Sequence, residues 1–255
     1  MQQHTTVRGL VIRETDFGDA DRYITVLTDA GAKIEVLCRG IRRRGSRLGA
    51  AVRLFCYTEL TLYESRGRFT LNDAALQTSF WGVTQDIEGY ALACYFAELA
   101  ALVAESDEPN PALTRLVLYA LHALTGGKRP FPLIKAAFEL RVFADAGFAP
   151  RLDACGACGS VLDEGALFSV REGVAVCPDC ARRLGGDWIT LAPGTLAAMR
   201  HIVACELKRV FSFTLGAQSL VQLGEICERY ALLNADRGFD SLTFYHSLLA
   251  PAPGR

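Results

Sequence analysis

The most informative absence in this sequence is a net charge. Lysine and arginine total 27 against 28 aspartates and glutamates, which leaves −1 with neutral histidines. A uniformly basic chain that coats a polyanion along its whole length is thereby excluded. Long apolar runs are also missing. The longest, from Ala91 to Ala104, is interrupted by Glu98 and falls short of the ~20 residues that a membrane-spanning helix needs. The opening Met1-Gln2-Gln3-His4-Thr5-Thr6 has no basic segment leading into an apolar core, so no secretory signal is read there and a cytoplasmic protein is expected. No phosphate-cradling G-x-x-x-x-G-K-[ST], no H-E-x-x-H and no G-x-S-x-G occurs. The carboxylate pairs Asp19/Asp21 and Asp107/Glu108 fall in expected loops without an evident partner. No catalytic residue is assigned, and a metal-dependent nuclease, which needs clustered carboxylates around a hard cation, is disfavoured.

What is present is a chain with real cores. With 51% hydrophobic residues over 255 positions, it can fill one large domain or two to three small ones. Residues 1–80 read as five short strands. Val7–Ile12 is an apolar run, Tyr23–Thr28 is β-branched and aromatic, and Asp29-Ala30-Gly31-Ala32 turns into Lys33–Cys38. Leu54–Tyr63 alternates, Ser65-Arg66-Gly67-Arg68 turns, and Phe69-Thr70-Leu71 begins the fifth strand. From about Thr84 the period becomes helical, with a polar Glu105–Glu108 ending the first helix. Asn110-Pro111 caps a second helix to Leu124, stopped by Gly126-Gly127, and Pro132 opens a third through Ala146. Further helices are expected from Pro193 to about Cys205 and from about Gln218 to Leu233.

Between the helices lies Cys155-Gly156-Ala157-Cys158, then 18 residues, then Cys177-Pro178-Asp179-Cys180. Two C-x2-C turns at this separation suit a tetrahedral zinc site, because each turn lets two thiolates reach one ion and the four together close its coordination shell. A closed shell makes the expected Zn2+ structural, one per chain. The residues between the turns, Ala166–Val170 and Gly173–Val176, read as a two-stranded ribbon. Cys38, Cys56, Cys94, Cys205 and Cys227 lack ligand spacing and read as small core residues, and His201 as an ordinary helical histidine.

The near-zero total conceals an uneven distribution. Residues 31–70 hold nine basic residues, Lys33, Arg39, Arg42, Arg43, Arg44, Arg47, Arg53, Arg66 and Arg68, against the three acids Glu35, Glu59 and Glu64, a local excess of +6. Guanidinium groups match phosphate oxygens and release counterions, so a flexible arginine loop beside a β-barrel is expected to bind nucleic acid through these nine side chains. Phe55, Tyr57, Tyr63 and Phe69 are candidates either for base stacking or for the barrel core, with core packing favoured.

Taken in order, these segments resemble the RecO family of bacterial recombination mediators. The resemblance runs from Gly9-Leu10-Val11-Ile12-Arg13 and Asp16-Phe17-Gly18-Asp19-Ala20-Asp21-Arg22 through Thr25–Thr28, Gly31-Ala32-Lys33, Cys38–Arg43, Ser46-Arg47-Leu48-Gly49 and Leu60–Glu64. In the second half, Cys155–Gly159 and Cys177–Cys180 match the family's zinc-binding members. It implies an α+β chain: an N-terminal five-stranded OB-fold barrel followed by a helical domain with an inserted zinc-ribbon-like module. The expected boundaries are 1–80 for the barrel, 81–150 and 189–255 for the two parts of the helical domain, and 151–188 for the zinc module. The resemblance further implies a non-enzymatic protein that binds single- and double-stranded DNA and anneals complementary strands. Its implied partners are RecR, RecF and, indirectly, RecA, together with the C-terminal tail of single-stranded-DNA-binding protein. The family's basic residues near the C-terminus have no match in Asp240–His246, so no DNA role is assigned there. A zinc-ribbon adaptor, docking partners between apolar helices around Leu92–Val103 and Leu116–Leu124, is the alternative.

Overall fold

The computed structural model describes residues 3–104 and 109–250. The Glu105–Glu108 segment expected to end the first helix, with its Asp107/Glu108 pair, lies outside the described residues.

Five strands, β1 (Gln3–Phe17), β2 (Asp21–Thr28), β3 (Lys33–Cys38), β4 (Cys56–Ser65) and β5 (Arg68–Ser79), close into a barrel of order β1-β2-β3-β5-β4. All neighbours are antiparallel except β3 and β5, which pair in parallel at Val36–Phe69 and Leu37–Thr70. This is the oligonucleotide/oligosaccharide-binding type of barrel, and closure leaves no sheet edge exposed. In β4, Thr58, Leu60 and Leu62 are buried while Tyr57, Glu59 and Thr61 are partly exposed, the period of two that a one-sided strand requires. Val11, Ile24, Val26, Val36, Leu60 and Leu62 fill the interior.

β1 is much longer than the apolar run that signals it. Residues 3–10 pair with β4 and residues 9–17 with β2, and a bulge lies between Val11 and Arg13. Its polar ends are strand because two ladders satisfy their backbone groups, which leaves no trace in hydrophobicity. Gly9 belongs to both ladders. A β-carbon there would lie 2.5 Å from Val26 Cγ1 and 2.6 Å from the Leu27 carbonyl oxygen, so only glycine fits where the strand passes from one partner to the other.

After a 3-10 turn, Trp81–Gln85, the chain continues as α1 (Ile87–Val103), α2 (Pro111–Thr125), α3 (Phe131–Asp145), strands β6 (Leu167–Ser169) and β7 (Val174–Val176), α4 (Pro178–Leu184), strand β8 (Ile189–Thr190), α5 (Pro193–Ala204), α6 (Ala217–Ala235) and α7 (Asp240–Leu249). No helix among the described residues is long and apolar enough to cross a membrane. Two compact units result, the first running to Thr125 and resuming at Phe239, the second spanning Gly126–Gly238.

In the first unit, the Asp86 carboxylate accepts from Gly89 N at 2.8 Å and starts α1, while Asn110 Oδ1 accepts from Ala112 N at 3.0 Å and starts α2. Leu92, Tyr95, Phe96 and Leu99 of α1 are buried completely. Thr114 on α2 donates to the Thr28 carbonyl at 2.6 Å, tying that helix to β2, and α7 packs against α1 with Phe239 edge-on to Tyr95 at 5.4 Å.

The second unit is built on α3, which is buried on nearly every side. Its Lys135 ammonium bridges Glu139 at 2.8 Å and Glu228 of α6 at 2.7 Å. Burial alone pulls the Lys135 pKa down, and the two carboxylates outweigh it, so the ammonium is held above its ordinary value. Arg141 pairs with Asp145 at 2.8 Å and donates to the Ile202 and Cys205 carbonyls at the C-terminal end of α5. The ribbon expected between the cysteine pairs has a third strand, in the order β7-β6-β8. β8 has two residues and α4 seven, both too short for a period to be legible. α7 carries little helical signal in its sequence, because only Leu242 and Tyr245 of its ten residues are buried. Cys38, Cys56 and Cys227 are core residues as expected, whereas Cys94 and Cys205 are half-buried.

Candidate nucleic-acid interface and candidate metal centre

The arginine-rich segment is the connection between β3 and β4. Expected to be a flexible loop, it forms hydrogen-bonded turns over part of its length. Arg43 N donates to the Gly40 carbonyl and Ser46 N to the Arg43 carbonyl, both at 3.1 Å, forming successive turns. Ile41 and Val52 are buried in the barrel core, and Leu48 packs against it. Apolar side chains thus plug the barrel while the arginines between them project outward. The loop is also tied to the β1–β2 turn: Gly40 N donates to Asp21 Oδ1 at 2.6 Å and Arg42 N to the Ala20 carbonyl at 2.9 Å. Asp21, read from sequence as a loop carboxylate without a partner, is this anchor.

The nine basic positions fall into two sets. Lys33 donates to the Ala101 carbonyl near the end of α1 at 3.1 Å, Arg42 donates to the Gly18 carbonyl at 3.2 Å and lies 3.4 Å from Asp16 Oδ2, and Arg53 lies 3.6 Å from Glu14 Oε1. These three side chains each have a partner within the first unit. Arg39, Arg43, Arg44, Arg47, Arg66 and Arg68 are exposed and carry no side-chain hydrogen bond or ion pair among the described residues. The first four lie at the β3–β4 loop and the last two at the β4–β5 turn. An exposed guanidinium held by no carboxylate keeps all its donors for a phosphate.

The four candidate stacking aromatics are otherwise occupied. Phe55 is 1% exposed and edge-on to Tyr90, the Tyr57 hydroxyl donates to Asp29 at 2.7 Å, Tyr63 meets His4, and Phe69 packs against the core. Within the barrel strands the exposed rings are Phe17 and Tyr23, at 53% and 36%; Trp81, Tyr90, Tyr119, Phe148 and Phe244 are exposed outside those strands. Arg13 and Thr15 on β1, Tyr23 and Thr25 on β2 and Glu35 on β3 line a shallow depression on that outer face. Sequence parity hides this, because residues 13, 15 and 17 continue the alternation of core-facing Val7 and Val11, and the bulge between Val11 and Arg13 turns them outward.

In the second unit, the sulfurs of Cys155, Cys158, Cys177 and Cys180 lie within 4.8 Å of one another, and the Cys158 and Cys177 sulfurs are 3.9 Å apart. A metal–sulfur distance of ~2.3 Å implies tetrahedron edges of about 3.8 Å, so the set is dimensioned for one thiophilic ion. Gly156 allows the first knuckle, since a β-carbon there would lie 2.1 Å from Val174 Cγ2. Its N–H donates to the Ala175 carbonyl at 2.9 Å, holding the knuckle against β7. Cys177 precedes α4, and Cys180 sits in that helix's first turn. Burial pushes the Cys155 thiol up, but N–H donation from Cys177, Cys158 and Ala157 more than offsets it and brings the pKa to about 6. A hydrogen bond with Ser160 lowers that of Cys158. Arg183 donates to Cys180 Sγ at 2.9 Å, placing a cation against the sulfur cluster. From α5, Arg200 donates to the Leu152, Asp153 and Leu162 carbonyls around the first knuckle. Burial raises the other five thiols, Cys38 to about 12, and raises Cys180 to about 12 as well, so proximity rather than acidity marks out the four candidate ligands. His201 is no ligand: its Nε2 lies 3.1 Å from the Arg209 carbonyl.

Among the described residues, most of the apolar side chains expected to line a groove between these helices are buried instead. Leu92, Leu99, Leu116 and Leu121 are buried in the first unit's own core.

A closed barrel of the OB type, a helical part and a four-cysteine module together define a class of barrel-and-helix proteins with an embedded cysteine knuckle whose geometry could hold a metal ion. Residues 1–80 match the family model described as recombination protein O N terminal, and residues 84–243 match that described as recombination protein O C terminal. The chain belongs to the RecO family. It is 30% identical over 246 residues to DNA repair protein RecO of Symbiobacterium thermophilum, covering 95% of this chain and 96% of that protein. It is 29% identical over 240 residues to that of Acetivibrio thermocellus, covering 94% and 95%. With that of Anaeromyxobacter sp. (strain K) it shares 36% identity over 197 residues, covering 76% and 77%.

Proposed function

We propose that the protein is a DNA-repair and recombination mediator that binds single- and double-stranded DNA and anneals complementary strands. Acting with RecR and RecF, it helps load RecA on strands coated by single-stranded-DNA-binding protein, whose C-terminal tail it engages. Annealing requires two polyanions to be brought together, and exposed arginines screen both without any bond being cut, so no enzymatic step is needed. The observation that carries the reading is the group of unpaired arginines around a closed barrel in a chain of this family. Residues 1–80 are the DNA-binding domain, 81–150 and 189–255 the helical domain, and 151–188 the zinc module. All nine basic residues belong to the interface, Arg39, Arg43, Arg44, Arg47, Arg66 and Arg68 by contact and Lys33, Arg42 and Arg53 by holding the loop and barrel in place. Cys155, Cys158, Cys177 and Cys180 hold one structural Zn2+, which ties the two knuckles together; the thiolate-favouring N–H donors and Arg183 support this. The working compartment is the cytoplasm, at the nucleoid.

The test is a salt-titrated binding and annealing assay on Arg43→Glu/Arg44→Glu/Arg47→Glu. Affinity for both strand forms is expected to fall at least ten-fold, about 1.4 kcal/mol. The slope of log affinity against log salt is expected to become shallower by about two, because each lost phosphate contact removes ~0.7–0.9. Unchanged affinity and slope in a folded variant overturn the reading.

A further inference from the structure

From the side chains on the barrel's outer face, we propose that Phe17 and Tyr23 form a stacking platform for unpaired bases, so that this barrel discriminates single-stranded from duplex DNA. The inference rests on the DNA-binding reading above and specifies what that site takes.

Phe17 ends β1, and Tyr23 lies near the start of β2 across the same turn. Their ring centroids are 5.2 Å apart at 68°, an edge-to-face pair that holds both rings in place while leaving them 53% and 36% exposed. The Tyr23 hydroxyl has no hydrogen-bond partner among the described residues. A pair of large rings kept in water on a barrel with a filled core forgoes burial, and stacking on a flat π-system is the contact that recovers it.

The surroundings select the ligand. Arg13 stands beside Tyr23 in the same depression, exposed and with no ion pair among the described residues, while Glu35 of β3 is the one acid in its lining. The arginine loop starts against the same turn, through Gly40 to Asp21 and Arg42 to Gly18 and Ala20. Tyr23 pairs across the sheet with Leu37, two residues before Arg39. Aromatic faces therefore adjoin unpaired cations, which is what a strand presenting phosphates on one side and unstacked bases on the other requires. In a duplex each base already has neighbours on both faces, so only the cations have something to bind.

Phe17→Ala/Tyr23→Ala, compared with the wild-type full-length chain on a poly-thymidine strand and on a hairpin-capped duplex, tests the proposal. Strand affinity is expected to fall at least about five-fold, the lower end of the loss per stacked base, with the salt slope unchanged and duplex affinity retained. Tyr23→Trp keeps a stacking face and reports through its added fluorescence, which the strand is expected to quench and the duplex to leave alone. An equal loss on both probes, or no loss with no quenching, overturns the platform. The Arg43/Arg44/Arg47 triple variant separates the two readings. If it weakens both probes while the aromatic variant does nothing, DNA binding stands and stacking falls. If it too binds normally, the DNA-binding reading itself is what fails.

Discussion

At Gly9 the barrel has no space for a methyl group, since Val26 Cγ1 and the Leu27 carbonyl already occupy the position of a β-carbon. The obstacle includes backbone of a central strand, which cannot swing aside as a side-chain tip can. Gly9→Ala is therefore expected to cost about 1–3 kcal/mol, as overpacking does, measured as a lower denaturant midpoint. Its slope should be unchanged, because the surface exposed on unfolding is the same. The same scale separates arginines that look alike in sequence. Arg42 and Arg43 are adjacent in one basic run, yet the first is spent on Asp16 and Gly18 while the second is free. Only the partner's position distinguishes them, and that partner is far away in the chain.

At the scale of elements, α3 shows what the sequence signals and what it hides. Its apolar residues and the preceding proline mark a helix, but Lys135, Glu139 and Arg141 suggest a solvated stripe. The structure buries all three, at 5%, 0% and 9% exposure, because α5 and α6 supply partners for the lysine and the arginine. Lys135→Met is expected to cost about 3–5 kcal/mol, since it strands the fully buried Glu139 carboxylate. Adding Glu139→Leu should recover much of that loss, and chemical denaturation of the single and double variants measures both. The cysteine module teaches the converse. Its spacing made the cluster of four cysteines legible at once, because two short turns bring sulfurs together whatever surrounds them. The third strand and the Arg183 and Arg200 contacts were not legible, since they come from outside the motif.

For the whole molecule, the two compact units give metal removal a defined reach. Cys177→Ser, or stripping with a strong chelator, takes away the tie between the knuckles, and binding free energy of that kind is folding free energy. Amide hydrogen exchange is expected to speed up across residues 151–191, while β1–β5 keep their protection because each pairs only within the first unit. Metal analysis of reduced protein should show one zinc per chain, and DNA affinity should outlast the loss of stability. A barrel that loses protection together with the ribbon would contradict this division of labour.

The sequence by itself determined the order of the parts: a β-rich segment, helices, a four-cysteine module and a basic excess confined to residues 31–70. Those are local properties, written in periodicity, spacing and composition. Only the tertiary structure decided that β1 serves two ladders and that three of the nine basic residues are held by the fold. It also decided that Phe55 fills the core while Phe17 and Tyr23 face solvent. The physical reason is the same each time. Burial and pairing depend on which distant residues arrive at a position, and barrel closure and helix packing settle that.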